Sequence, residues 1–248
     1  MLVYLVLVGL SIASFIGSLS YRVARDIPIA SPPSFCDACN RRLKPYDLIP
    51  VVSYLVLGGR CRFCGRRIPL KYLAVEIFLP LGYVFIYLLY GLTPGFFVYT
   101  YLFTILLYLA LLDLEARFIG MPGILLVYAG GVMTLFLSAR GVFLPPPVHY
   151  LYGFASGVIL VGLSFVIVLF IKKKMSLGAG DFLVIPGVAL YFGVEEVVRI
   201  MVVSSGAGVV TGVLLILTGK VKKDYKFPML PYITCGIVVE ILLFGGKM

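Results

Sequence analysis

The sequence predicts an all-α polytopic membrane protein with about eight transmembrane helices and a small cysteine-containing loop domain. Of the 248 residues, 61% are hydrophobic and only 13% are charged, and the mean hydropathy is +1.09. A soluble domain of this length would be about half apolar and about a quarter charged. Several apolar runs approach or exceed the roughly 18 residues that are needed to cross a bilayer.

Eight apolar segments are expected to form the membrane helices. The first is too long for the apolar core of a signal peptide and has no basic region before it, so we expect a retained helix. No repeat of fixed period is evident. The predicted segments are 2–21, 71–91, 95–113, 119–138, 150–171, 181–194, 196–218 and 229–246.

One long polar loop, 22–70, separates the first two segments. The expected organisation is therefore a first transmembrane helix (1–21), a loop domain (22–70) and a membrane domain of about seven helices (71–248). Only the loop is polar enough and long enough to form a small domain outside the bilayer.

Lysine and arginine are distributed unevenly between the two sides of the membrane. With the N-terminus outside, only Arg140, Arg199 and Lys247 of the 21 Lys and Arg residues fall outside, and the other 18 fall inside. Because cytoplasmic loops carry the excess of positive charge, this pattern places the 22–70 loop in the cytoplasm. The same pattern accounts for the net charge of +10, so we expect no nucleic-acid partner. The expected partner of the basic loops is the lipid bilayer.

Two Cys-x-x-Cys pairs in the loop predict a zinc site formed by Cys36, Cys39, Cys61 and Cys64. The alternatives are disulfides or a thiol cluster without metal, and a cytoplasmic location disfavours disulfides. No histidine or carboxylate suggests an open coordination position, so the zinc ion would be structural. The fifth cysteine, Cys235, is expected to be a small core residue of the last apolar segment.

Two aspartates are expected at the same depth of the membrane. Asp113 ends the third apolar segment and Asp181 opens the sixth, so both lie at the cytoplasmic edge of the bilayer. A pair of carboxylates that meet in a half-dry site can activate water, one accepting a proton and the other donating one. The neighbouring Gly178 and Gly180 would let the chain approach a substrate backbone and aim Asp181.

Structural roles for the same residues stay open from spacing alone. Asp181 could cap the N-terminus of its own helix, and Asp113 could pair with Arg117 four residues on. Glu76, also in an apolar segment, could serve a reaction or be a satisfied polar contact within the helix bundle.

Several stretches taken together resemble the bacterial type IV prepilin peptidases, which are leader peptidase/N-methyltransferases and membrane aspartic proteases of the GxGD type. They are "SFIGSLSYRVARD", the loop "SPPSFCDACNRRLKPYDLIPVVSYLVLGGRCRFCGRRIPLKYLAVE", the "GAGD" that ends at Asp181, and "FPMLPY". The resemblance covers essentially the whole chain. Three positions depart from the family pattern: Gly17 stands where an asparagine is usual, Gly120 where a proline is usual, and Leu183 where a lysine is usual.

The resemblance implies an endopeptidase of the bacterial inner membrane. Such enzymes cut the basic leader from type IV prepilins or pseudopilins after a glycine at the cytoplasmic face. Many then methylate the new N-terminus with S-adenosylmethionine. The two catalytic aspartates of the family correspond to Asp113 and Asp181.

Two other functions are compatible with these residues. The chain could be a GxGD protease with other membrane substrates, although the Cys₄ loop has no obvious part in general intramembrane proteolysis. It could also be a membrane scaffold held by zinc, in which the aspartates only cap helices.

Overall fold

The computed structural model describes residues 1–117, 119–142, 145–172, 179–219 and 228–244. Within these ranges the regular secondary structure is helical, apart from two isolated β-bridges in the polar loop, so the predicted all-α class is confirmed. The helices are α1 (Leu2–Val23), α2 (Val52–Val56), α3 (Leu70–Tyr90), α4 (Pro94–Ala116), α5 (Met121–Ala139), α6 (Pro147–Lys172), α7 (Ala179–Ala189), α8 (Val194–Leu217) and α9 (Leu230–Phe244).

Each of the eight predicted apolar segments corresponds to one helix, and the polar loop contains α2 and a short 3₁₀ helix at Pro45–Leu48. In the part of the chain that the structure describes, six helices are long and apolar enough to cross a membrane: α1, α3, α4, α5, α6 and α8. The other two apolar helices are shorter, since α7 has 11 residues and α9 has 15. At 1.5 Å per residue they reach about 16 Å and about 22 Å, against a hydrocarbon core of about 30 Å.

The chain divides into two compact units, Met1–Leu88 and Leu89–Met248. In the first unit, α1 and α3 pack closely where Gly9 faces Pro80. A methyl group on Gly9 would lie 2.7 Å from the Cα of Pro80, so only a residue without a side chain permits this approach. Gly17 meets Tyr72 in the same way at an ordinary contact distance of 3.5 Å.

In the second unit, α4 is the central helix. Of its membrane-crossing window, 67% is buried, against 17% to 33% for the other described candidate spans. Near its C-terminal end, Leu111, Leu112 and Asp113 are buried within protein, whereas Leu114 is 45% exposed. Glycines let the surrounding helices come close, and a methyl group on Gly157 of α6 would lie 2.8 Å from the Cβ of Ala189 in α7.

The short helix α7 continues into a buried irregular segment. Leu190, Tyr191 and Phe192 follow it without helical structure and are at most 5% exposed. The Tyr191 hydroxyl donates to the carbonyl oxygen of Val127 at 2.8 Å, and its backbone N–H donates to the carbonyl oxygen of Val188 at 3.0 Å. Irregular backbone is tolerated at membrane depth where it is enclosed by protein in this way.

Helices α8 and α9 are joined by an ion pair whose carboxylate is buried and whose arginine side chain is 34% exposed. The guanidinium of Arg199 donates to both carboxylate oxygens of Glu240 at 2.7 to 3.2 Å, and the Glu240 side chain is 2% exposed. Glu195 and Glu196, which lie in the first turn of α8, are 3.6 Å and 3.9 Å from the same guanidinium. The charge of Glu240 is therefore compensated by a structural partner.

Candidate active site and metal centre

The four loop cysteines come together. Their Sγ atoms all lie within 4.8 Å of one another, and the Sγ atoms of Cys36 and Cys64 are 3.8 Å apart. Four thiolates placed about 2.3 Å from a tetrahedral zinc ion would be about 3.8 Å apart. The donor set and its spacing therefore fit a four-coordinate metal ion.

Two copies of one turn build this cluster. Phe35 pairs with Arg42 around the first cysteine pair, and Arg60 pairs with Arg67 around the second, in isolated antiparallel bridges. In each copy the first cysteine exchanges backbone hydrogen bonds with the residues after the second cysteine, at 2.8 to 3.0 Å. The two sites are thus related by a local structural repeat.

The sequence contains this repeat, and the expectation of no repeat is wrong at this scale. "CDACNRRL" and "CRFCGRRI" share the pattern Cys-x-x-Cys-x-Arg-Arg followed by an aliphatic residue. The residue after the second cysteine has a positive φ in both copies, 54° at Asn40 and 69° at Gly65. Asn and Gly are the residue types that adopt this conformation most readily.

The electrostatics of the thiols differ within the cluster. Burial raises the pKa of the Cys36 thiol. Burial also acts to raise the pKa of Cys61, but hydrogen bonds from the backbone of Cys64 and Phe63 and from neighbouring thiols outweigh it and lower that pKa to about 7. A thiol that ionises near neutral pH is suited to metal ligation, because the thiolate is the ligand form.

Asp113 is buried at the C-terminal end of α4, with 6% of its surface exposed. Its Oδ2 accepts a hydrogen bond of 3.3 Å from the backbone N–H of Leu230, the first residue of α9. A helix N-terminus favours a negatively charged group, since its first N–H groups have no partner within the helix. The sequence stretch "FPMLPY" therefore contributes a backbone donor to Asp113, a contact that the sequence analysis did not predict.

The start of α7 lies next to the turn that follows Asp113. A methyl group on Gly180 would be 2.8 Å from the Cβ of Ile119, and Ile119 is only six residues beyond Asp113. Asp181 is the neighbour of Gly180 in the first turn of α7. The side chain of Asp181, like the whole of Gly178, lies outside the described residues. The ends of the two aspartate-bearing helices are thus in the same part of the second unit.

The chain turns sharply after Asp113. Helix α4 ends at Ala116, and Arg117 has a left-handed conformation with a φ of 51°, so it does not continue the helix to which Asp113 belongs. Gly120 is the extended N-cap of α5, and Pro122 lies in the first turn, where the missing N–H of proline costs no helical hydrogen bond. Gly120 stands where the family usually has a proline, and in this chain the proline that precedes the body of α5 is Pro122, two positions later.

Three further residues from the sequence analysis have defined surroundings. Glu76 does have a polar contact, but its partner lies in the loop: Oε2 accepts a 2.7 Å hydrogen bond from the N–H of Val51. Cys235 is exposed on the surface of α9, so its assignment to the core is wrong. Leu183 is 43% exposed.

Comparison with known proteins supports one family. A model described as the bacterial peptidase A24 N-terminal domain matches residues 7–90. The prepilin leader peptidase/N-methyltransferase of Bacillus subtilis is 27% identical over 98% of this chain and 94% of its own length. That of Vibrio cholerae is 30% identical over 82% of this chain and 83% of its own length.

A third relative, the prepilin leader peptidase/N-methyltransferase of Myxococcus xanthus, is 28% identical over 88% of this chain and 64% of its own length. No solved structure matches the chain. The match to the Bacillus subtilis protein covers 98% of the chain and therefore extends through both units. The chain therefore belongs to the family of prepilin leader peptidase/N-methyltransferases.

Proposed function

We propose that this protein is a membrane aspartic endopeptidase that removes the basic leader of type IV prepilins or pseudopilins by cutting after a glycine. Asp113 and Asp181 are its catalytic pair. The observation that supports the pair is the contact between Gly180 and Ile119, because it brings the start of α7 to the turn that follows Asp113. Membership in the family supports the substrate class.

The chemistry needs no metal and no covalent intermediate. Of two neighbouring carboxylates, one is ionised and takes a proton from a water molecule, which then attacks the carbonyl carbon of the scissile peptide bond. The other is protonated and donates to the carbonyl oxygen, as in aspartic proteases. Breakdown of the tetrahedral intermediate returns a proton to the leaving amine and releases the mature N-terminus.

The surroundings of Asp113 suit this role. Asp113 lies inside the most buried helix of the second unit, and this position limits the access of bulk water. Electrostatic interactions are stronger where water is excluded. The Leu230 N–H fixes one oxygen of the carboxylate. An orientation held by backbone is rigid, and rigid placement of reacting groups is a main source of enzymatic rate.

We propose that the site opens to the cytoplasmic side of the bacterial inner membrane. The six membrane-length helices and the excess of lysine and arginine in the loops on one side support this orientation. Water and a leader on the cytoplasmic side would both reach a pair that lies at the edge of the bilayer.

We propose that the ion held by Cys36, Cys39, Cys61 and Cys64 is zinc, in a structural role. All four donors are thiolates in two equivalent turns. This set is typical of closed structural zinc sites, which leave no position for water or substrate. Bound zinc would supply folding energy to the loop.

We further propose that the protein transfers a methyl group from S-adenosylmethionine to the new N-terminus. The support is the name shared by the relatives of this chain. The described residues form no strand–turn–helix loop of the kind that binds nucleotides, so they supply no recognisable site for the donor.

The test is co-expression of each variant, Asp113→Asn and Asp181→Asn, with a prepilin. Loss of a group that acts in a catalytic unit costs on the order of 10³-fold or more, so leader cleavage is expected to disappear in both. Glu115→Gln, which removes a carboxylate two residues from Asp113, is the control and should cleave normally.

The same assay separates the alternatives. Full cleavage by either aspartate variant, with normal amounts of protein in the membrane, would contradict the catalytic pair. Absence of cleavage by the unaltered protein as well would favour the scaffold. Cleavage that persists when the glycine before the cut is replaced would favour a protease of broader substrate range. Transfer of labelled methyl groups to the cleaved product, measured in parallel, tests the second activity.

A further inference from the structure

The polar loop carries an apolar face that is exposed. Ile49, Val52, Leu55 and Val56 are 47%, 54%, 66% and 74% exposed. The spacing of three and four residues places Val52, Leu55 and Val56 on one side of α2, and Ile49 lies in the segment just before that helix. Ile29, Tyr46 and Leu48 of the loop are exposed as well, but residues 49–56 place four such side chains in one short stretch, and a contiguous exposed apolar surface marks an interaction site.

One hydrogen bond fixes the depth of this face. The N–H of Val51, just before α2, donates to Oε2 of Glu76 at 2.7 Å. Glu76 lies six residues into α3, a helix long and apolar enough to span a membrane, and six residues of helix rise about 9 Å. The start of α2 is therefore held beside the second turn of a spanning helix, at the level of the bilayer boundary.

The turn before α2 is strained. Val51 has a φ of 62° and a ψ of −51°, and the N–H of Val52 donates to the carbonyl oxygen of Pro50 at 2.6 Å, which closes a three-residue γ-turn. This turn is rare, and a positive φ is unfavourable for a β-branched residue. Such strain persists where surrounding contacts determine the conformation, and here the carboxylate of Glu76 is one of them.

The groups around the face carry positive charge. Residues 24–69 contain eight Lys and Arg residues against three Asp residues. The ring of Tyr46, 47% exposed, has the Lys44 ammonium 5.6 Å and the Arg62 guanidinium 5.0 Å from its centre. Tyrosine and basic side chains beside an apolar face are typical of segments that lie in the membrane interface next to anionic lipid.

We propose that α2 and its preceding turn form an interfacial anchor, defined as residues 49–56. Its apolar face inserts into the leaflet at which α1 ends and α3 begins, and the neighbouring lysine and arginine side chains bind anionic lipid headgroups. Both ends of the loop enter that leaflet, so the lipid surface is always within reach. The proposal is independent of the peptidase activity and of the aspartate pair.

The chain contains no tryptophan, so one introduced indole reports its surroundings alone. The test places Val56→Trp in the full-length protein, reconstituted in vesicles whose acyl chains carry bromine near the headgroup. We expect blue-shifted emission that the bromine quenches. Phe78→Trp, at an exposed position on α3, should be quenched as well, and Asp37→Trp on the first cysteine turn should not.

A pair of variants at Glu76 tests the depth. Both variants are made in the Val56→Trp background. Glu76→Gln keeps an acceptor oxygen for the Val51 N–H, so the quenching should stay. Glu76→Ala removes the acceptor oxygen and should lower the quenching at least severalfold. Quenching should also be stronger in vesicles that contain anionic lipid than in purely zwitterionic ones.

Three outcomes would overturn the proposal. The emission of a water-exposed indole at position 56 would place the face in solvent. Blue-shifted emission without quenching would mean that protein, such as a substrate, covers the face instead of lipid. Equal quenching in anionic and zwitterionic vesicles would show that the lysine and arginine side chains do not bind anionic headgroups.

Discussion

The metal centre and the aspartate site are built in opposite ways. Each cysteine pair belongs to one short turn closed by its own backbone hydrogen bonds, and the centre is two such turns joined. Asp113 and Asp181 are 68 residues apart on different helices, and the proposed pairing of their side chains would depend on the packing of α4, α5, α7 and α9. The geometry of the metal centre therefore depends on its four ligands, and the geometry of the aspartate site depends on helix contacts spread over residues 89–248.

The largest effect is expected at the metal centre. Cys36→Ser removes one of four ligands, and structural zinc contributes on the order of 10 kcal/mol or more to the folding of a small metal-dependent domain. We expect loss of bound zinc and rapid proteolysis within 24–69, while the helices of the second unit stay protected. Cys235→Ser, which alters the exposed cysteine of α9, should keep a full complement of zinc. Full zinc in Cys36→Ser would contradict a four-cysteine centre.

The ion pair between α8 and α9 is expected to come next. Arg199→Ala leaves the buried Glu240 without its two-pronged partner, and breaking a buried pair in this way costs about 3–5 kcal/mol of unfolding free energy. The measurement is equilibrium unfolding in mixed micelles. Because α9 also carries the N–H that reaches Asp113, cleavage should fall with stability.

Two matched variants accompany this measurement. Arg140→Ala, at an exposed arginine, should change the unfolding free energy by less than about 0.5 kcal/mol. The double change Arg199→Met with Glu240→Leu replaces both charges by apolar groups and should recover most of the lost stability. A double variant no more stable than Arg199→Ala would contradict this account.

A smaller effect is expected at the start of α7. The methyl group of Gly180→Ala would lie 2.8 Å from the Cβ of Ile119 and must displace α7 or the turn after Asp113. A shift of about 1 Å in a catalytic group can cost on the order of 10²-fold in rate, so cleavage should fall that far. Gly162→Ala, where a methyl group meets nothing within 4 Å, should cleave normally.

A second substitution tests whether the clash with Ile119 causes the loss of cleavage in Gly180→Ala. Ile119→Ala combined with Gly180→Ala makes room for the new methyl group, and we expect much of the cleavage rate to return. A double variant as slow as Gly180→Ala would mean that the packing of these two residues does not position the aspartates.

The smallest effect is expected at Tyr191. Tyr191→Phe removes the hydrogen bond to the carbonyl oxygen of Val127 and should lower the unfolding free energy by about 1 kcal/mol. Tyr4→Phe, at a side chain that is 71% exposed, should leave it unchanged. Equal unfolding free energies for the two variants would show that the buried segment after α7 does not depend on this bond.

Much of the fold could be predicted from hydropathy. All eight apolar segments are helices, because a chain in lipid must satisfy its backbone internally. Hydropathy does not tell a lipid-facing side chain from a buried one, which is why Cys235 was assigned to the core. The sixth segment was expected to be short, but hydropathy does not show where a helix stops within an apolar run, so the end of α7 at Ala189 and its buried irregular continuation were not predicted.

The two sites were predictable to different extents. Cysteine spacing alone indicated the four ligands that the structure brings together, because every contact needed is local. A common depth of Asp113 and Asp181 was expected from the chain's alternating direction across the membrane, and the contact of Gly180 with Ile119 is consistent with it. The Leu230 donor and the bond from Val51 to Glu76 join residues 117 and 25 positions apart, and no short-range pattern encodes such contacts.

The packing of α1 against α3 affects how readily the loop folds. Contacts of Gly9 with Pro80 and of Gly17 with Tyr72 hold the two helices together up to the point where 24–69 leaves the membrane. The loop is thus already closed into a ring before any metal binds, and most of the chain entropy of ring closure has been lost beforehand. An apoprotein in the membrane would therefore keep its four thiols near one another, and it would recover its metal more readily than the same segment cut free.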